Sequence, residues 1–198
     1  MKVFASIVLF ALLTACGTGG IQSETKDANI KLSDSMLTDY QSQAKEIISA
    51  SFGALSKQLM DAISKGGTSY AVAFCNLEAL SITDSLSEVC HAEIKRLALK
   101  NRNPVNNPDE SEALLLRLME DRISKGLNPG DTIVVNNNYV TYYAPILTAA
   151  ACLQCHGKTG EHIQPETLQI IQEKYPDDKA VGFQLNDLRG MWQIRINK

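Results

Sequence analysis

Thr132-Ile133-Val134-Val135-Asn136-Asn137-Asn138-Tyr139-Val140-Thr141-Tyr142-Tyr143-Ala144-Pro145-Ile146 is the stretch that decides the fold. Two β-branched and aromatic runs flank three asparagines, which tolerate positive φ, so the segment predicts an antiparallel hairpin. Ala92 to Leu99 alternates and predicts another strand, and Leu188 to Ile196 predicts a last one at the C-terminus.

Helices surround these strands. From Asp34, Leu37, Tyr40, Ala44, Ile47, Ile48, Leu55, Leu59 and Ile63 recur at three- and four-residue steps, and Gly66-Gly67 ends the run. A second helix is expected from about Ser69 to Glu88, carrying Val72, Phe74, Cys75, Leu77, Ile82 and Leu86. Asn101 to Pro108 is loop chemistry, Asp109 can cap a helix running to about Ser124, and Pro165 opens a short one. Nothing repeats. The fold class expected is α+β, one domain with an antiparallel sheet and helices packed against it.

The chain has 198 residues, 44% hydrophobic and 21% charged, which suits one globular domain with a real core. A net charge of -3 supplies no basic field for phosphates, so nucleic acid is not an expected partner. Lys2 and the apolar run Val3 to Leu13 look like a signal peptide, too short to span a bilayer comfortably. The run ends in Leu13-Thr14-Ala15-Cys16-Gly17, which resembles a bacterial lipoprotein processing site. Residues 1–15 then read as a lipoprotein signal peptide, 16–32 as a flexible tether from lipidated Cys16, and 33–198 as the domain. That implies a periplasm-facing lipoprotein of the bacterial cell envelope, membrane-held through Cys16. Gly17 after the cysteine favours the outer membrane.

Export places Cys75, Cys90, Cys152 and Cys155 in an oxidising compartment, where each thiol needs a partner or a task. Cys152-Leu153-Gln154-Cys155-His156 supplies two tasks at once. Thiols three residues apart reach the two vinyl groups of one porphyrin, and the next histidine lies under the iron as an axial ligand. A disulfide would leave His156 unexplained, a thioredoxin-like pair lacks its βαβ setting, and zinc lacks a second ligand pair. One haem c, covalent through Cys152 and Cys155 with His156 on the iron, is the expected cofactor. For the sixth position the residues leave Cys75, His91, His162, Met36, Met60, Met119 and Met191 open.

Phe74-Cys75-Asn76-Leu77-Glu78-Ala79, Leu99 to Pro104 with Asn107-Pro108-Asp109, Tyr143 to Ile146, the C-x-x-C-H-G motif, Asp177 to Phe183 and Asp187 to Gly190 come in order. Together they resemble a family of single-haem c-type proteins with a PAS-like fold, long catalogued as a domain of unknown function. The likeness runs from about residue 36 to the C-terminus. It implies a PAS-like antiparallel sheet with long N-terminal helices, and histidine and cysteine as axial ligands. Carried over, these are His156 and Cys75. The alternatives for Cys75 are a buried apolar thiol or a disulfide with Cys90, whose loop of about 15 residues would be worth about 3 kcal/mol. Cys90-His91 departs from the family pattern, leaving His91 open as a ligand; a solvent-facing pair is the plainer reading. Arg102 and Lys100 can bind a haem propionate or lie on a solvated surface. Tyr142, Tyr143 and Trp192 read as sheet core.

The function expected is a one-electron redox carrier or redox-responsive haem protein, with an unidentified redox partner protein. The alternative is a redox or gas (NO/CO) sensor acting through a partner, on fold analogy. An enzyme is not expected, because two strong ligands close the iron.

Overall fold

The computed structural model describes residues 32–198. The signal peptide, Cys16 and nearly all of the tether lie outside the described residues. Helix α1 (Asp34–Cys90) starts at Ser33, whose hydroxyl accepts from the Met36 N–H at 3.3 Å. It spans 57 residues and is broken at Gly66 and Gly67, where φ/ψ are -159°/24° and 71°/-170°. The sequence places the break there, because the second conformation belongs to glycine. His91 then caps α1 in the left-handed region (φ 50°), its N–H reaching the Ser87 and Glu88 carbonyls.

Four strands follow: β1 (Ala92–Leu97), β2 (Thr132–Val135), β3 (Tyr139–Leu147) and β4 (Leu188–Asn197). They form one antiparallel sheet in the order β1-β4-β3-β2. The hairpin sits where the asparagines predict it. Strand β1 stops at Leu97 rather than Leu99, because the chain turns away with the Ala98 N–H on the Asn106 carbonyl at 3.1 Å. Pro145 is tolerated inside β3 because the β2 pairing ends at Tyr143, so that edge asks for no donor.

Alternation gives the sheet two faces. Ala92, Ile94, Tyr142, Trp192, Ile194 and Ile196 meet Ala44 and Ile47 of the first half of α1. Leu97, Tyr143, Leu188 and Met191 meet Leu116 and Met119 of α2 (Glu110–Ser124), whose start is closed by a capping box between Asp109 and Glu112. A third cluster lies beyond the glycine break: Val72 with Ile163, Ile171 and Tyr175, the last two on or just after α4 (Pro165–Lys174). Thr167, buried in α4, is bonded to Thr68 at 2.5 Å and Ser69 at 3.3 Å. This third cluster fixes where Cys75 stands.

Candidate functional site

The C-x-x-C-H segment is built as a turn and a short helix. A 3-10 turn over Ala150–Cys152 runs into α3 (Leu153–His156), and Gly157 ends it. A side chain at 157 has no room, since a Cβ would lie 2.6 Å from both the Leu153 oxygen and the His162 Cβ. The exit from α3 pairs with a later segment: Gly182 N–H donates to the Gly157 carbonyl at 2.8 Å, and Phe183 N–H to the His156 carbonyl at 2.9 Å.

His156 is fixed by the same segment. Its Nδ1 stands 2.8 Å from the Ala180 carbonyl oxygen. A carbonyl only accepts, so the proton is on Nδ1 and the lone pair is on Nε2. Burial first, then Arg189 and Arg102, push the imidazole well below the ordinary histidine range and keep it neutral. That is the state of an imidazole ready to ligate a metal.

Arg102 ties three segments together. Its guanidinium donates to Asp178 at 3.2 and 3.0 Å, to the Cys155 carbonyl at 2.7 Å and to the Ala180 carbonyl at 3.4 Å. The Arg102–Asp178 pair is 11% and 7% exposed, so solvent screens it little. Through Nε and Nη2, Arg102 clamps the C-x-x-C-H helix to the segment around Asp178 and Ala180. Lys100 lies with its ammonium 5.2 Å from the centre of the Phe183 ring.

Cys75 reaches the same place from the second half of α1. Burial pushes its thiol up, while Arg96 and Arg102 pull it down; burial likewise raises Cys155, with Cys75 and Cys152 acting on it. The structure therefore brings together Cys75, Cys152, Cys155, His156 and Arg102. All four cysteines among the described residues are thiols, so no Cys75–Cys90 disulfide forms. Sixteen residues further along the same helix, about 24 Å at 1.5 Å per residue, His91 is exposed. Cys90 packs against the sheet core instead. Met119 and Met191 are buried on the α2 face, and Met36 and Met60 are exposed. His162 is engaged by the Lys158 N–H at 3.2 Å.

A model of the Tll0287-like family matches residues 22–197. The chain belongs to the Tll0287-like family. Among solved structures it is similar to the cyanobacterial heme-protein Tll0287, at 24% identity and a TM-score of 0.54, over 84% of this chain and 98% of that one. At that identity the likeness speaks for the fold. No curated protein matches.

Two residues of this Tll0287-like chain escape motif reading. Arg96 occupies an inward position of β1, in register with Ala92 and Ile94, and acts on Cys75 and Tyr175. Arg189 lies 5.4 Å from the centre of the Phe183 ring, acts on His156, and has a buried Nε without a hydrogen-bond partner. An arginine in step with the apolar Ala92 and Ile94, where alternation expects another apolar side chain, is the one sequence signal for the first. The second stands in the family-like Asp187-Leu188-Arg189-Gly190 run.

Among the described residues, no three His, Cys, Asp or Glu side chains gather as a metal site of their own. The donor set is one thiol at the end of the 3-10 turn and one on α3, one free imidazole nitrogen and a third, separate thiol. Such a set asks for a metal that brings its own equatorial ligands.

Proposed function

We propose that this chain is an envelope-anchored haem protein that accepts and returns single electrons. One haem c would be joined through Cys152 and Cys155, with His156 and Cys75 as axial ligands. The observation that carries the reading is the His156 Nδ1 bond to Ala180, beside two free thiols in C-x-x-C-H spacing. The unpaired Nε of Arg189 supports it, since a charged buried donor without a partner suits the acidic edge of a porphyrin. When bound, the haem supplies a reversible ferric/ferrous couple.

The residues of the chain do the rest. Ala180 and Arg102 hold the imidazole and the helix that presents it, so little would rearrange when the iron changes charge. Cys75 supplies a strongly donating ligand that lowers the potential. The lipoprotein-like Leu13-Thr14-Ala15-Cys16 supports a tether at the membrane, facing the periplasm and most consistent with the outer membrane, where a covalent cofactor is not lost. Electrons would pass to and from a separate protein, and no catalytic turnover is proposed.

The second reading, a sensor of redox state or of NO or CO acting through a partner, is favoured by one observation. Burial opposes the Cys75 thiolate, so protonation competes with iron for this sulfur once the iron is ferrous.

Acid–acetone extraction of the exported protein tests the attachment. The haem is expected to stay with the chain and to be lost from Cys152→Ala/Cys155→Ala; haem that extracts freely from the wild type rejects the covalent reading. Carbon monoxide separates the two functions. A carrier leaves its ferrous spectrum unchanged under CO at neutral pH, whereas rapid, complete binding makes it a sensor.

A further inference from the structure

Phe183 touches both the proposed iron ligand and two cations. Its N–H donates to the His156 carbonyl at 2.9 Å, and its ring meets the imidazole edge-on, 6.3 Å between centres at 87°. The Lys100 ammonium lies 5.2 Å from the centre of the same ring, and the Arg189 guanidinium 5.4 Å. At such distances the ring quadrupole attracts a cation. The backbone draws the two cations together. Arg189 Nη1 donates to the Lys100 carbonyl at 3.1 Å, and Gly190 beside it has no room for a side chain against the Leu97 carbonyl.

The charges on this ring are unanswered. Arg102, the other guanidinium clamping the site, has Asp178 at 3.0 Å. Neither Lys100 nor Arg189 forms an ion pair among the described residues. Glu120, an exposed side chain, is the one carboxylate bordering the small cleft that both share with Phe183. Burial first, then Arg102, brings Arg189 down to about 10, so it stays charged at neutral pH. Lys100 is exposed, Arg189 half-buried and Phe183 buried.

We infer that Lys100 and Arg189 are positioning residues that act on the iron couple through Phe183 and His156, raising the midpoint potential against the lowering a Cys75 thiolate imposes. The inference rests on the haem reading above. Ferric iron carries one more positive charge than ferrous iron, so a nearby cation favours the reduced state. The two cations do this differently. Few ions reach the half-buried Arg189, whereas salt screens the exposed Lys100 over about 8–10 Å at ordinary ionic strength. Lys100 is therefore the member that makes the potential depend on salt.

The test is a redox titration of the full-length, haem-loaded protein at low and high salt. Lys100→Gln is expected to shift the oxidised-to-reduced ratio toward oxidised about two- to fourfold at low salt, and hardly at all at high salt. Lys100→Arg should restore the wild-type midpoint. Arg189→Gln should shift the ratio the same way by about tenfold at either salt, which is 59 mV for one electron. Adding Lys100→Gln to Phe183→Leu should lower the midpoint no further, because the lysine acts from its place on the ring. Glu120→Gln should move the midpoint upward. Loaded Lys100→Gln and Arg189→Gln proteins that keep the wild-type midpoint overturn the inference and leave the haem reading standing. A Lys100→Gln shift that salt does not change and Lys100→Arg does not restore also overturns it. A wild-type chain that never acquires haem overturns both readings. Where Arg189→Gln does not accumulate, Lys100→Gln, at an exposed position, decides the matter by its salt dependence.

Discussion

The Ala180 carbonyl oxygen accepts from His156 Nδ1 at 2.8 Å and from Arg102 Nη2 at 3.4 Å, and its own N–H donates to Asp178 Oδ1 at 2.9 Å. One backbone unit thus fixes the His156 tautomer, the clamp and the clamp's counter-ion. Replacing Asp178 by Asn leaves a guanidinium buried and uncompensated, a change that costs about 3–5 kcal/mol when one partner of a buried pair is removed. Thermal unfolding of Asp178→Asn should show that loss, and Arg102→Gln on the Asn background should add much less than it does alone. A fully additive pair would mean that the two side chains do not act on each other. The Cys75 assignment is tested in the same way, at one atom. Cys75→Ser in the haem-loaded protein should change the ferric EPR spectrum markedly, because an oxygen donor replaces sulfur. An identical spectrum would remove Cys75 from the iron and return the sixth position to another residue.

Elements were more legible in the sequence than contacts. The asparagine hairpin, the Asp109-capped helix and the glycine break all fall where local chemistry puts them, because each is set by residues within a few positions of one another. Arg96 and the Ala180 acceptor were not legible, because their meaning depends on segments 20 to 80 residues away that only the fold brings together. Arg102 falls between these cases: its loop was recognised, but a sequence cannot tell whether a guanidinium faces a carboxylate of the cofactor or one of its own chain. The break at Gly67 carries a prediction of its own. With φ 71° and ψ -170° it occupies backbone space that is essentially closed to other residues, so Gly67→Ala should cost about 1–3 kcal/mol. Nothing crowds its missing side chain, which makes the cost one of backbone alone. Circular dichroism melts of Gly67→Ala and Gly53→Ala separate the causes. Position 53 is also uncrowded but lies inside the helix, where alanine is stabilising by up to about 1 kcal/mol.

The whole molecule is closed by its last strand. β4 is the last element in chain order, yet it lies in the middle of the sheet, with β1 on one side and β3 on the other. Its residues alternate between the two cores: Trp192, Ile194 and Ile196 join the first half of α1, while Leu188 and Met191 join α2. Arg189 at its start also acts on His156, so the same strand that completes the core reaches the proposed site. The β1–β4 pairing spans about a hundred residues, and such non-local pairing has to overcome loop-closure entropy before it gains anything. The two partial cores therefore have no common support until the final residues are available. Truncation after Asp187 should abolish cooperative unfolding altogether rather than lower the melting temperature by a few degrees, since it strips both faces of their shared strand. Truncation after Asn197, which removes only Lys198 with its ammonium bond to the Asn136 carbonyl and its N–H bond to the Asn138 carbonyl at 3.0 Å, should leave the melt close to wild type. Limited proteolysis reads both variants. A chain ending at Asp187 that resists protease as the full chain does would show that β1 and the β2–β3 hairpin hold together without β4, and the central role given to that strand would be wrong.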